Sequence, residues 1–139
     1  MVDNNQQYAY FAVYGDFDPD GITARVGIRP TECWRRGDVC PRTKRERNSC
    51  FWSLHSRLDR GQELEAHIAD VLDQLDANQA AFGALSREFR GCMQLVAYFN
   101  REYPGLHFEP EITEGLARYS LAVDFDFYWL YSKKREGTD

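Results

Sequence analysis

Residues Tyr8 to Gly27 decide the fold and read Tyr-Ala-Tyr-Phe-Ala-Val-Tyr-Gly-Asp-Phe-Asp-Pro-Asp-Gly-Ile-Thr-Ala-Arg-Val-Gly. The aromatic and branched residues of Tyr8 to Tyr14 favour a strand. Asp18 can accept the first amide protons of a helix, and Pro19 suits its first position because it has no amide proton. Gly27 favours a left-handed C-terminal cap. The stretch therefore predicts a strand, a turn and a helix that begins at Pro19.

Length and composition predict one globular domain. A chain of 139 residues with 43% hydrophobic and 28% charged residues can bury a core and does not have the composition of a disordered protein. We expect a single domain over residues 1–139, with residues 1–7 and 132–139 as frayed tails. Neither a secretory signal nor an apolar run of about 20 residues is present in this sequence, so we expect a cytoplasmic location and no membrane partner.

Charge is distributed unevenly along the chain. The net charge is −5, but six basic and two acidic side chains give residues 35–47 a charge of +4, so the rest carries −9. An acidic protein is a poor general binder of phosphate backbones, and nucleic acid is therefore not the favoured partner. Binding of nucleic acid through the basic loop 35–47 stays an alternative.

The rest of the chain alternates helical and strand patterns. Apolar residues at spacings of three and four across 61–90 predict a long amphipathic helical segment, which Asp76 to Asn78 can break in two. An apolar run and two alternating segments predict strands, and an acid-Pro-acid start predicts a further helix. These strands are Cys50–His55, Cys92–Asn100 and Leu121–Tyr131, and the helix is 108–119. Residues 28–41 show neither period and are interpreted as loop.

An internal echo suggests the architecture. Phe17 to Thr23 and Phe108 to Thr113 share an aromatic residue, an acid, proline, an acid and Ile-Thr, and each opens a helix after a strand. This pattern favours two βαβ units joined by the long helical segment, in an α+β, ferredoxin-like sheet with helices packed on one face. The first strand would be central, with the last strand antiparallel beside it.

The chain resembles a bacterial family catalogued only as Domain of Unknown Function 4279. The resemblance rests on Tyr10 to Asp20, Gly27 to Thr31, Trp34-Arg35-Arg36-Gly37-Asp38, Trp52-Ser53-Leu54 and Leu121 to Tyr128. It spans most of the domain. It implies a bacterial, cytoplasmic domain and carries no known activity, catalytic residue or cofactor.

Acidic residues suggest one enzymatic alternative. The predicted strand order would bring together Asp16, Asp18, Asp124 and Asp126. Carboxylates bind Mg²⁺, which can position a phosphate, so this grouping is compatible with a metal-dependent enzyme acting on a phosphate-containing substrate. The calcium-loop pattern that starts at Asp16 is incomplete, and the cysteines lack the close pairs of zinc sites. We expect no cofactor.

The favoured hypothesis is a non-enzymatic module that binds a protein or a small ligand. Tyrosines at alternate positions of the predicted strands would line the sheet face opposite the helices. The loop after the first helix adds arginine and tryptophan, which are frequent at interfaces. The candidate binding residues are Tyr14, Trp34, Arg35, Arg36, Trp52, Tyr98 and Tyr128. An uncovered aromatic face also favours a homodimer.

Overall fold

Nine strands and helices make up the part of the chain that the computed structural model describes, residues 5–100 and 105–130. In chain order they are β1 (Gln6–Gly15), α1 (Pro19–Val26), β2 (Glu32–Trp34), β3 (Cys50–His55), α2 (Leu64–Asp76), α3 (Gln79–Phe89), β4 (Cys92–Phe99), α4 (Pro110–Arg118) and β5 (Ala122–Trp129). The α+β class is confirmed.

The strands form one mixed sheet in the order β2-β3-β1-β4-β5. β1 pairs antiparallel with both β3 and β4, and β2 pairs antiparallel with β3, whereas β4 and β5 are parallel. The central place of β1 is as predicted. The prediction that the last strand lies antiparallel beside the first is wrong, because β4 occupies that place and α4 returns the chain to a parallel position at the edge. The ferredoxin-like arrangement of two βαβ units stays a prediction.

The helices cover one face of the sheet and bury the core there. Side chains alternate along β1, so Ala9, Phe11 and Val13 point to the helices and are almost fully buried. The same alternation in the neighbouring strands adds further residues to this core, among them Trp52, Leu54, Met93, Leu95 and Phe99. We call the opposite side the open face; its residues include Tyr10, Tyr14, Trp34, Phe51, His55, Gln94, Tyr98 and Tyr128.

Helix boundaries follow the local signals closely. α1 begins at Pro19, the Asp18 carboxylate accepts the amide of Asp20, and Gly27 adopts a left-handed φ of 77°. The break expected after Asp76 separates α2 from α3. Within the described ranges, no helix is both long and apolar enough to cross a membrane.

Two sequence predictions need correction at the level of local structure. Residues 28–41 were expected to be loop, but Glu32–Trp34 forms β2, because three residues are too few to show a strand period on their own. Gln6 and Gln7 belong to β1 and are therefore not part of a frayed tail. Asn5 is also described, and its side chain accepts the Asn100 amide at 2.9 Å; residues 1–4 and 132–139 lie outside the described residues.

Asp18 stabilises the start of α1 through two interactions. Its carboxylate caps α1 and forms an ion pair with Arg35 Nη1 at 2.8 Å, so replacing Asp18 with alanine removes two interactions at once. We expect Asp18→Ala to lower the midpoint of thermal unfolding by a few degrees, measured by circular dichroism. The control is Asp16→Ala at a neighbouring exposed carboxylate. Equal midpoints for the two variants would contradict the capping role.

Candidate functional site

A cationic and aromatic stack lies on the open face where β2 meets β3. The ring of Trp34 stacks on that of Phe51 with centroids 4.2 Å apart, and the Arg47 guanidinium carbon lies 3.5 Å from the Trp34 ring centroid. Tyr14 lies directly opposite Phe51 in the sheet, and their ring centroids are 4.8 Å apart. A guanidinium over an indole is a favourable cation–π arrangement, and it places a positive charge beside an apolar shelf.

The stack forms one wall of a groove of about 380 Å³. The groove lies between the open face and the loop of residues 39–47. Its lining residues are Tyr10, Tyr14, Glu32, Trp34, Cys40, Pro41, Arg42, Arg47 and Phe51. A second depression of about 190 Å³ continues beneath the loop toward Thr43, Asn48 and Ser49. Aromatic walls with a few polar groups are typical of ligand sites.

The part of the basic loop that borders the groove, residues 39–47, has a hairpin-like backbone. Val39 and Glu46 form an antiparallel bridge, and the amide of Cys40 donates to the carbonyl of Arg45 at 2.8 Å. Lys44 takes a left-handed φ of 63° at the turn. The Arg47 amide donates to the carbonyl of Asp38 at 2.7 Å, and this backbone bond helps to position Arg47 over Trp34.

Four cations of this loop have no acidic partner in the part of the chain that the structure describes. Within residues 5–100 and 105–130, no ion pair involves Arg42, Lys44, Arg45 or Arg47. Arg35, by contrast, is paired with both Asp18 and Asp20. Two of the four unpaired cations, Arg42 and Arg47, line the groove.

Aromatic contacts continue across the open face beyond the groove. His55 stacks on Tyr10 at 4.5 Å and on Tyr8 at 5.7 Å, and the Arg60 guanidinium lies 4.2 Å from the Tyr8 ring centroid. Burial raises the pKa of Tyr10 and of Tyr14 above the usual range, so both phenols are protonated donors at neutral pH. Burial also lowers the pKa of His55, which keeps the imidazole neutral.

Four of the seven predicted binding residues lie on the open face, in two separate pairs. Tyr14 and Trp34 lie together at the groove, while Tyr98 and Tyr128 stack at 4.9 Å nearer the other edge of the open face. Trp52 lies on the opposite face, is fully buried and donates its indole N–H to Thr23 Oγ1 at 3.0 Å, so it is a core residue.

The two adjacent arginines of the predicted set have internal partners. Alternation along β2 places Trp34 on the open face and turns Arg35 toward the N-terminus of α1, where it binds Asp18 and Asp20. The Arg36 side chain donates to the carbonyl of Asn48 at 2.8 Å. Both arginines therefore fix the ends of the loop and do not line the groove.

The structure does not bring the four aspartates into one group. Their grouping depended on β5 lying beside β1, and β4 separates the two strands. Asp18 is engaged by Arg35, and Asp124 accepts a hydrogen bond from the Cys92 thiol at 3.3 Å. In the described part of the chain, no three His, Cys, Asp or Glu side chains lie close enough to hold a metal ion. The predicted cluster of Asp16 and Asp18 with Asp124 and Asp126 is therefore wrong.

Sequence reasoning missed several residues of the groove. Phe51 was assigned to a strand but not to a face. Its spacing of two and four residues from Ser53 and His55 places the three side chains on one face. Glu32 was missed because β2 was interpreted as loop. Arg47 was counted only as part of a basic run, since its place over Trp34 depends on the backbone bonds of the loop, which no local pattern specifies.

Cys40 offers a pH-dependent test of the groove. Hydrogen bonds from the Thr43 side chain and backbone lower the pKa of the Cys40 thiol to about 7, whereas burial raises the pKa of Cys33. We expect Cys40 alkylation by iodoacetamide, followed by peptide mass spectrometry, to rise with a midpoint near pH 7. The midpoint for Cys33 should be higher.

The comparison of Thr43→Val with the native chain isolates the cause of this shift. Removing the hydroxyl should move the Cys40 midpoint upward and leave that of Cys33 unchanged. The explanation fails if Cys40 titrates together with Cys33 in the native chain.

Comparisons with known proteins give a family but no activity. The family described as "Domain of unknown function (DUF4279)" matches residues 5–130. Searches of curated proteins and of solved structures found no match. The groove therefore has to be interpreted from its own chemistry.

Proposed function

Because the chain belongs to the DUF4279 family, whose function is unknown, we propose a function from its own residues: a non-enzymatic module that binds a short acidic segment of a partner protein in the groove beside the basic loop. The observation that carries the proposal is the Arg47–Trp34–Phe51 stack. An acidic side chain can pair with Arg42 or Arg47 while an apolar side chain rests on the aromatic shelf.

Charge distribution favours a short acidic segment over nucleic acid. Asp124 and Asp126 lie on the same face of the sheet, on the strand at its other edge. A long phosphate backbone that followed the face would meet these carboxylates after leaving the loop, and like charges repel. A short segment can stay in the groove, within reach of Arg42 and Arg47.

Fluorescence anisotropy with labelled probes tests this proposal. The probes are a short peptide rich in Asp and Glu with one aromatic residue, its counterpart with Lys in place of each acid, and a single-stranded oligothymidine. We expect binding of the acidic peptide only. Arg47→Gln should weaken that binding at least tenfold, which is about 1.4 kcal/mol. Arg118→Gln, a matched charge change on α4, should leave it unchanged.

Other outcomes overturn the proposal. Equal binding of the acidic and basic peptides, or no loss with Arg47→Gln, would show that the groove is not the site. Tighter binding of oligothymidine, falling steeply with salt, would replace the proposal with the nucleic-acid alternative.

A further inference from the structure

The depression beneath the basic loop is a second cavity that adjoins the groove. Its volume is about 190 Å³, and it shares the lining residues Tyr14, Trp34, Cys40 and Arg47 with the groove. A segment that lies in the groove can therefore extend one side chain into the depression. The chemistry of the depression then selects that side chain.

Among the described residues, several hydrogen-bond donors of this depression have no protein partner. Within residues 5–100 and 105–130, the side chains of Arg45, Asn48 and Ser49 form no hydrogen bond or ion pair, although the Arg45 amide and the Asn48 carbonyl are bonded. Tyr14 adds a phenol, and burial raises its pKa, so it is a protonated donor at neutral pH. Each of these groups can donate to an anion that enters the depression.

Charge and the number of donors favour a phosphate over a carboxylate. Two guanidinium groups, those of Arg45 and Arg47, line the depression, and Glu46 is the one carboxylate among its described lining residues. A carboxylate offers two oxygens, whereas a phosphate monoester offers three oxygens and a charge of about −1.5 to −2 at neutral pH. Arginine binds such a group through charge-assisted, often paired hydrogen bonds. The depression therefore stabilises a phosphate more than it stabilises a carboxylate.

We propose that the depression binds the phosphate of a phosphotyrosine in the partner segment, while the ring of that residue lies in the groove beside Tyr14 and Trp34. This inference rests on the function proposed above and names the residue that the segment presents. Phosphotyrosine joins an aromatic ring and a phosphate in one side chain, so it matches an aromatic-walled groove that adjoins a depression lined by donors. Arg45 and Arg47 balance the charge of the phosphate.

Fluorescence anisotropy with three acidic peptides at constant ionic strength tests the residue. The first peptide contains tyrosine, the second has phosphotyrosine in its place, and the third keeps tyrosine but has phosphoserine in place of one acid. We expect the second to bind at least tenfold more tightly than the first, which is about 1.4 kcal/mol, and the third to bind like the first. Phenyl phosphate should displace the second peptide at concentrations at which inorganic phosphate does not.

Variants of the loop locate the bound phosphate. Arg45→Gln should remove most of the gain in affinity that phosphotyrosine gives, because its guanidinium lines the depression. Lys44→Gln, the same change of charge at the preceding residue, should keep that gain, because Lys44 lines neither cavity. Ser49→Ala removes a donor without changing the charge, and it should reduce the gain while the affinity for the first peptide stays unchanged. A native circular dichroism spectrum of each variant shows that it is folded.

The outcomes separate this inference from the proposed function. Binding of the first peptide with no gain from phosphotyrosine overturns the inference and leaves the proposed function in place, whereas no binding of any peptide overturns both. Binding of the phosphotyrosine peptide alone supports the inference. An equal gain from phosphoserine, equal displacement by inorganic phosphate, or equal losses with Lys44→Gln and Arg45→Gln would show a general effect of charge and overturn it.

Discussion

Replacing Trp52 with alanine should lower the free energy of unfolding by about 3–5 kcal/mol, the usual range for a buried tryptophan. Trp52 is fully buried on the helix face, where it contacts Phe11 and Phe82. The variant loses this apolar contact, leaves a cavity and removes the indole hydrogen bond to Thr23. Urea unfolding followed by circular dichroism measures the loss.

Trp34→Ala is the matched control for this stability measurement. Trp34 is only partly buried and contacts Phe51 and Arg47 at the surface, so its removal should cost much less stability than the removal of Trp52. Trp52→Phe, which keeps most of the ring volume, should fall between the two. Similar losses for Trp34→Ala and Trp52→Ala would contradict the assignment of the two residues to different faces.

The second large effect concerns binding at the groove. We expect Trp34→Ala to weaken binding of the acidic peptide at least tenfold. The variant loses the aromatic surface on which an apolar side chain can rest, and this surface also holds the Arg47 guanidinium in place. Fluorescence anisotropy measures the dissociation constant. Leu106→Ala, at an exposed apolar residue outside the groove, should leave it unchanged. Equal affinities for the native chain and Trp34→Ala would show that the peptide does not bind in the groove.

The two tryptophans show what local patterns can and cannot predict. Caps, proline starts and periodicity predicted α1, the break between α2 and α3, and the strands from β3 onward, because each signal lies within a few residues. Trp34 and Trp52 were both predicted as contact residues, but strand register places their side chains on opposite faces. The face of Trp34 depends on the register between β2 and β3, and β2 is too short to be predicted from a local pattern.

Strand order is the other feature of the fold that local sequence patterns did not predict correctly. The echo of acid-Pro-acid correctly placed two helix starts, but it does not specify which strands become neighbours. β4 takes the place beside β1 that was expected for the last strand, and the aspartate cluster was lost with that expectation. The place of Arg47 likewise depends on backbone bonds between distant arms of the loop, such as Gly37 N–H to the carbonyl of Arg47.

A nuclear magnetic resonance titration of the ¹⁵N-labelled chain with the acidic peptide tests directly whether the groove beside Trp34 binds it. The three tryptophan indole N–H signals report on different places, and Trp52 serves as an internal control because its indole is bound to Thr23 in the core. We expect the signals of the Trp34 indole and of the Tyr14 and Arg47 amides to shift, while the signal of the Trp52 indole does not. An unmoved Trp34 indole, with shifts confined to α2 and α4, would contradict this expectation.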